Sequence, residues 1–158
     1  NDANLISKCY LVNKCAFPLK AYNDLGAYKI YMNDVGLLRR MSNLDSSIVL
    51  EGNKLFEEFK GSYTENYVAN VLTYLYETAP NYYTFDRCEI DFVIQRKNKI
   101  IPIEVKSNKS TNHNSLTKFN SNNDNEISFR FSLNNLSKDG KIINIPLYLL
   151  EYINNLNI

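Results

Sequence analysis

At 158 residues, 44% of them apolar and 22% charged, the chain has the size and balance of one globular domain able to bury a core. A formal charge of +1 excludes a globally basic or acidic protein, so any surface for a polyanion has to be local. Three cysteines without CxxC spacing and a single histidine, His113, are too few for a disulfide framework or a zinc site. No apolar run approaches the roughly 20 residues of a membrane helix, and no signal-peptide pattern opens the chain. A cytoplasmic protein with no membrane partner, and reduced thiols at Cys9, Cys15 and Cys88, is expected. A phosphate-binding loop of the GxxxxGK type is absent, so this chain alone is not expected to hydrolyse nucleoside triphosphates.

In chain order, residues 1–45 read as a strand-rich segment. "KCYLVN" and "YKIYMND" carry β-branched and aromatic residues around turn formers Pro18, Asn23, Asp24 and Gly26. "DVGLLRRM" predicts a short helix capped by Asp34, and "SNLDSS" a loop. The start at Asn1, running directly into "NLISKCYLVNK", suggests a fragment whose upstream partner is missing. Residues 46–158 read as an α/β domain. Apolar side chains at three- and four-residue spacing from Leu55 to Leu75 predict a helix over 54–77, kinked or split at Gly61 and ended before Pro80. Strands are predicted at 82–86, 89–95 and 99–106. "SLTKF" begins a short helix with Leu116 and Phe119 inward, and 126–132 is a further strand. "IINIPLYLLEYINN" predicts a strand running into a terminal helix with Pro146 in its first turn. The order amounts to a mixed sheet flanked by helices.

The stretch "CEIDFVIQRKNKIIPIEVKSNKS" places Asp91, Glu104 and Lys106 inside apolar runs, where ionised groups need partners. Strict alternation groups Asp91, Val93 and Gln95 on one face and Ile90, Phe92 and Ile94 on the other. A two-residue turn at 97–98 then sets Asp91 directly against Glu104. Like charges so placed repel, and Lys106 or a divalent cation held by hard carboxylate oxygens, Mg²⁺ or Mn²⁺, would compensate. Glu65, among apolar helix positions, offers a third carboxylate. Solvated residues at a strand end and a metal site account for this pattern about equally well.

The order Glu65, Asp91, Glu104-Val105-Lys106 resembles the E…D…ExK signature of the PD-(D/E)XK nuclease-like superfamily. "YKIYMNDVGLLRRM", "GSYTENYVANVL", "EIDFVI" and "IPIEVKS" together resemble the uncharacterised C-terminal domain of bacterial and archaeal AAA-type ATPases, over residues 27 to 150. The resemblance implies a restriction-endonuclease-like fold, an ATPase domain on the same full-length chain, and divalent-metal-dependent phosphodiester hydrolysis on DNA. Asp91 and Glu104 would be the principal metal ligands and Glu65 an accessory one. Lys106 would orient the attacking water or stabilise charge on the phosphate. Residues 1–26 would be the tail of a winged-helix-like linker from the ATPase. The superfamily also contains members that have lost catalysis. The alternative is therefore an inactive nuclease-fold module for nucleic-acid binding or protein assembly.

Between Arg96 and Lys118 stand six basic residues and one acidic residue, Glu104. That is a local excess suited to a phosphate backbone or simply to a solvated hairpin tip. Gln95 and the Tyr82–Tyr83 pair are expected to pack rather than bind, and His113 to lie at the surface. Arg130 is expected to meet a phosphate or pair with an acid.

Overall fold

The computed structural model describes residues 4–43, 54–109 and 114–156. Eight strands form one mixed sheet: β1 Ile6–Val12, β2 Asn23–Met32, β3 Asn81–Phe85, β4 Cys88–Arg96, β5 Lys99–Val105, β6 Ser128–Ser132, β7 Ser137–Asp139 and β8 Ile142–Pro146. Their order across the sheet is β2-β1-β3-β4-β5-β6-β8-β7. The β3–β4 and β4–β5 pairs are antiparallel, whereas β5–β6 and β6–β8 are parallel. The connection from β5 to β6 carries helix α3, Asn114–Asn122, as a parallel crossover requires.

Both faces of the sheet are covered, which is why the central strands read as nearly continuous apolar runs. On one face Phe92, Ile94, Ile101, Ile103, Phe129 and Phe131 pack with Val68 and Leu72 of helix α2, Lys54–Tyr76. Leu150 and Ile153 of the 3-10 segment Leu147–Asn155 join them. On the other face Ile90, Val93 and Ile142 pack with Leu116 and Phe119 of α3, at the positions their spacing predicts. Helix α1, Val35–Met41, is capped as expected, the Leu37 N–H donating to Asp34 Oδ1 at 2.6 Å.

Several expectations need correction. Gly61 does not split α2, which is continuous; a Cβ there would touch nothing within 4 Å. Phe59, placed in the apolar stripe by spacing, is 49% exposed. Asn23, Asp24 and Gly26 do not form a separate turn but lie within β2, where the register jumps from Tyr10↔Tyr28 to Leu11↔Asp24 and three residues loop out. The terminal helix is 3-10 rather than α, with Pro146 as its N-cap. The three-residue edge strand β7 has no counterpart among the predicted elements. His113, most of the loop after α1 and the boundary at residues 45 and 46 lie outside the described residues.

Segment 1–45 supplies β1 and β2, and these extend the same sheet. β1 pairs with β3 at Leu11↔Tyr82, and Asn81 Nδ2 donates to the Tyr10 carbonyl at 3.0 Å. The buried Asn66 of α2 grips β2 through both backbone groups of Met32, accepting its N–H and donating to its carbonyl, each at 2.8 Å. The three cysteines are free thiols: Cys9 is buried, and Cys15 and Cys88 are partly so. Burial pushes the Cys9 and Cys15 thiols up to about 12. Alkylation at pH 8 is thus expected at Cys88 well before Cys9 or Cys15, because the thiolate is the reactive form. Peptide mass mapping checks this, and labelling of Cys9 as fast as Cys88 would mean that β1 does not sit in the sheet.

Candidate functional site

The β4–β5 hairpin turns over Lys97 and Asn98, the two-residue connection the sequence predicts, and the left-handed φ of 57° at Lys97 makes the tight turn. From Arg96↔Lys99 the ladder runs regularly to Phe92↔Ile103, the register that sets Asp91 against Glu104. There the ladder stops. The Val105 N–H donates at 2.7 Å to Asp91 Oδ2 instead of to a β4 carbonyl, and the Lys106 N–H donates at 2.8 Å to the Phe131 carbonyl of β6. The Asp91 carboxylate thus occupies the gap where two antiparallel strands part.

Strict alternation fails on the other side of β4. Tyr83 pairs with Ile90 but Asn81 with Val93, so Asp91 and Phe92 together oppose Tyr82 in a bulge. Ile90 and Phe92, expected on one face, accordingly enter different cores. The bulge turns Asp91 towards the α2 side. Glu65 of α2 and Lys29 of β2 act on its charge more strongly than Glu104 does. Glu104 alternates with the buried Ile103 onto the α3 side, across from Arg130 in the parallel register. The two carboxylates therefore flank the gap between the strands rather than sharing one face.

Each group has a distinct environment. Burial pushes the Asp91 carboxyl up to about 7; the Val105 N–H and Lys29 oppose this, while Glu65 and Glu104 add to it. Glu104 is 6% exposed; its Oε1 lies 2.8 Å from Lys106 Nζ, and its buried Oε2 has no hydrogen-bond partner among the described residues. Arg130 is buried, its Nε donating at 2.9 Å to Asn144 Oδ1 on β8, so the exposed phosphate contact allowed by the sequence does not match its position.

Glu65 is differently placed. Its Oε1 accepts from Lys29 Nζ at 3.2 Å and from the Tyr31 hydroxyl, and Lys29 also bridges to Glu89 at 2.6 Å. The sequence reading does not assemble this polar cluster against Asp91. A signal for it exists, since Lys29 and Tyr31 are two apart in a strand and share a face. Among the described residues, no three His, Cys, Asp or Glu side chains gather closely enough to hold a metal ion. The donor chemistry fits a hard divalent cation at Asp91 and Glu104, where a buried carboxylate oxygen lacks a partner. Glu65 differs in that its Oε1 already accepts from an ammonium and a phenol. Two carboxylates suffice for Mg²⁺, which commonly keeps several waters.

The other candidates separate in space. Arg96, Lys97 and Lys99 lie at the turn end of the hairpin, five residues of β5 or about 17 Å from Glu104, and not beside it as their sequence positions suggest. Gln95 Oε1 accepts the Leu19 N–H at 2.9 Å. Tyr83 stacks on Phe85 and meets Phe119 edge-on, so it packs as expected. Lys118 Nζ reaches Cys88 Sγ at 3.6 Å. Among the described residues no helix is long and apolar enough to cross a membrane.

A family model described as a domain of unknown function, DUF4143, matches residues 60–150, more than half of the chain. That span contains Glu65, Asp91, Glu104, Lys106 and Arg130 and excludes Lys29 and Tyr31. No curated protein and no solved structure matches.

Proposed function

The chain belongs to the DUF4143 family, and from that premise we propose that it is a nuclease-like module, divalent-metal-dependent and acting on DNA phosphodiesters, attached to an AAA-type ATPase. The observation that carries this reading is the buried Glu104, ion-paired through one oxygen with Lys106 and left with the other oxygen unpartnered, beside a strand gap that holds Asp91.

Asp91 and Glu104 would hold the cation. A bound divalent ion supplies Lewis acidity, an acidified water and neutralisation of phosphoryl charge. The chain's own residues do the rest. The Val105 N–H fixes one oxygen of Asp91. Glu104 holds the Lys106 ammonium at the strand end, where it can orient an attacking water and stabilise charge developing on a scissile phosphate. Glu65, engaged by Tyr31 and Lys29, stands on the Asp91 side as a positioning residue.

Supercoiled and linear DNA incubated with Mg²⁺ or Mn²⁺ test the reading. Wild type is expected to cleave, and Glu104→Gln and Lys106→Met to lose about 100-fold or more, the scale of removing one transition-state-stabilising group. Cleavage no greater than that of these variants, on DNA and RNA alike, overturns the assignment.

A second reading is a nuclease-fold module that binds nucleic acid or assembles with the ATPase without cutting. The engagement of Glu65 by Lys29 and Tyr31 favours it, because the site then keeps two acidic ligands rather than three. Nucleic-acid binding without cleavage is its expected signature.

A further inference from the structure

Five cations border one groove on the α2 side of the sheet. Arg96, Lys97, Lys99, Lys138 and Lys141 border an open groove of about 350 Å³ in which Glu126 is the one acidic lining residue among those described. The register explains the grouping. Arg96 opposes Lys99, and Ile143 opposes Lys138 while pairing with Phe129 on its other side. Arg96, Lys99 and Lys138 therefore share the face of Ile101, Phe129 and Ile143, and Lys141 joins them two residues before Ile143. Asp139 pairs with Ile142 and is turned to the opposite face. The row crosses β4, β5, β6, β8 and β7, four strand spacings or about 19 Å.

We propose that this row is a binding surface for the backbone of duplex DNA, separate from the Asp91–Glu104 gap. Lys99 and Lys141 lie towards the β4–β5 turn, while Lys138 stands level with Ile103 but three strand spacings, about 14 Å, from β5. The row is on the face towards which Glu104 does not point, so it does not depend on the hydrolytic reading. The ligand class follows from what the groove contains and lacks. Its four lysines are exposed and Arg96 is half-buried, and Glu126 engages Lys99 at 2.5 Å. Most of its apolar floor is closed off: Ile101, Phe129 and Ile143 are at most 3% exposed, and Ile127 is half-buried. An acidic protein partner would gain little there, because protein interfaces depend on anchors seated in desolvated pockets. A single strand would find no exposed ring to stack on among the lining residues. A duplex backbone needs only a line of cations.

The test is the binding of a fluorescent 20-base-pair duplex to the full chain in chelator, across a salt series. Wild type is compared with the triple variant Lys97→Ala/Lys138→Ala/Lys141→Ala. A second triple variant, Lys14→Ala/Lys20→Ala/Arg40→Ala, removes the same charge elsewhere. The groove variant is expected to bind at least tenfold more weakly and to flatten the dependence of log K on log salt by roughly 2 to 3, at about 0.9 for each phosphate that is no longer neutralised. The second variant is expected to behave as wild type. Equal losses in both variants, or no loss in the first, overturn the proposal. So does polyglutamate binding that depends on the groove while the duplex does not bind. Cleavage assayed in parallel separates the two readings: groove-dependent binding without cleavage counts against hydrolysis alone, and cleavage with an undiminished groove variant counts against the groove alone.

Discussion

Asp91→Asn is expected to stabilise the folded chain at pH 8, by on the order of 2 to 4 kcal/mol, and to leave it nearly unchanged at pH 4. Burial raises the Asp91 carboxyl from 3.8 to about 7. Between those values the folded chain keeps a proton that the unfolded chain has released. Stability from this group therefore falls as pH rises from about 4 to about 7, and is level above. Each unit of the shift is about 1.4 kcal/mol, so roughly three units set the ceiling. Asparagine removes the charge and keeps an oxygen for the Val105 N–H. Urea unfolding at the two pH values reads the effect, and a variant that keeps the wild-type pH dependence would show that Asp91 titrates normally. The same experiment probes the cation. A divalent ion bound by ionised Asp91 and Glu104 stabilises by mass action, so Mg²⁺ should raise the stability of wild type at pH 8 and not that of Asp91→Asn. Identical responses in the two proteins would remove Asp91 from the ligand set whatever the cleavage assay shows.

How much of the molecule is legible in its sequence follows from how local each determinant is. The β4–β5 hairpin is readable because a two-residue turn sets the register of everything behind it, and Lys97-Asn98 is such a turn. Leu116 and Phe119, the Asp34 cap and the end of α2 before Pro80 also depend on nearby residues only. The face of Asp91 is not readable, because the bulge that rotates it arises from pairing with β3 at Tyr82, and nothing within β4 marks it. Phe59 shows the limit of periodicity, since the spacing that puts Val68 and Leu72 in the core also puts Phe59 in the stripe, at a turn of α2 where it stays half-exposed. β7 has no apolar pattern and exists only because β8 offers an edge. Along the chain the basic residues are neighbours of Glu104, whereas the hairpin carries Lys99 about 17 Å from it, and the β7–β8 pairing adds Lys138 and Lys141, from a distant segment, to the same groove. The Glu65 cluster needs long-range contacts across 34 and 36 residues, although the pattern of Lys29 and Tyr31 is visible.

Asn144→Leu is expected to cost about 2 to 4 kcal/mol, the scale of removing a buried amide and leaving several of its hydrogen-bond partners unsatisfied. Asn144 is 2% exposed, and all four hydrogen-bonding positions of its amide are filled. Oδ1 accepts from Arg130 Nε at 2.9 Å and Ser132 Oγ at 2.7 Å, and Nδ2 donates to the Asn134 and Asn135 carbonyls at 3.1 and 2.8 Å. Leucine has the same number of side-chain heavy atoms and the same branching, and satisfies none of these groups. Urea denaturation gives the loss, and Asn135→Ala, which keeps the carbonyl and removes only an exposed side chain, should stay within about 0.5 kcal/mol of wild type. A cost below about 1 kcal/mol for Asn144→Leu, the size of one ordinary hydrogen bond, would mean that its amide is not what holds Arg130. The double variant Asn144→Leu/Arg130→Met then separates stability from function. Replacing both members of a buried polar pair by apolar groups is often close to neutral, so the double variant should recover the Arg130 share of the loss while Ser132 and the two carbonyls stay short of the amide. It would also remove the guanidinium that faces Glu104 across the β5–β6 register. Cleavage that stays low in a restabilised double variant would identify Arg130 as a positioning residue for Glu104, whereas recovery of cleavage with stability would confine Arg130 and Asn144 to holding β6 against β8.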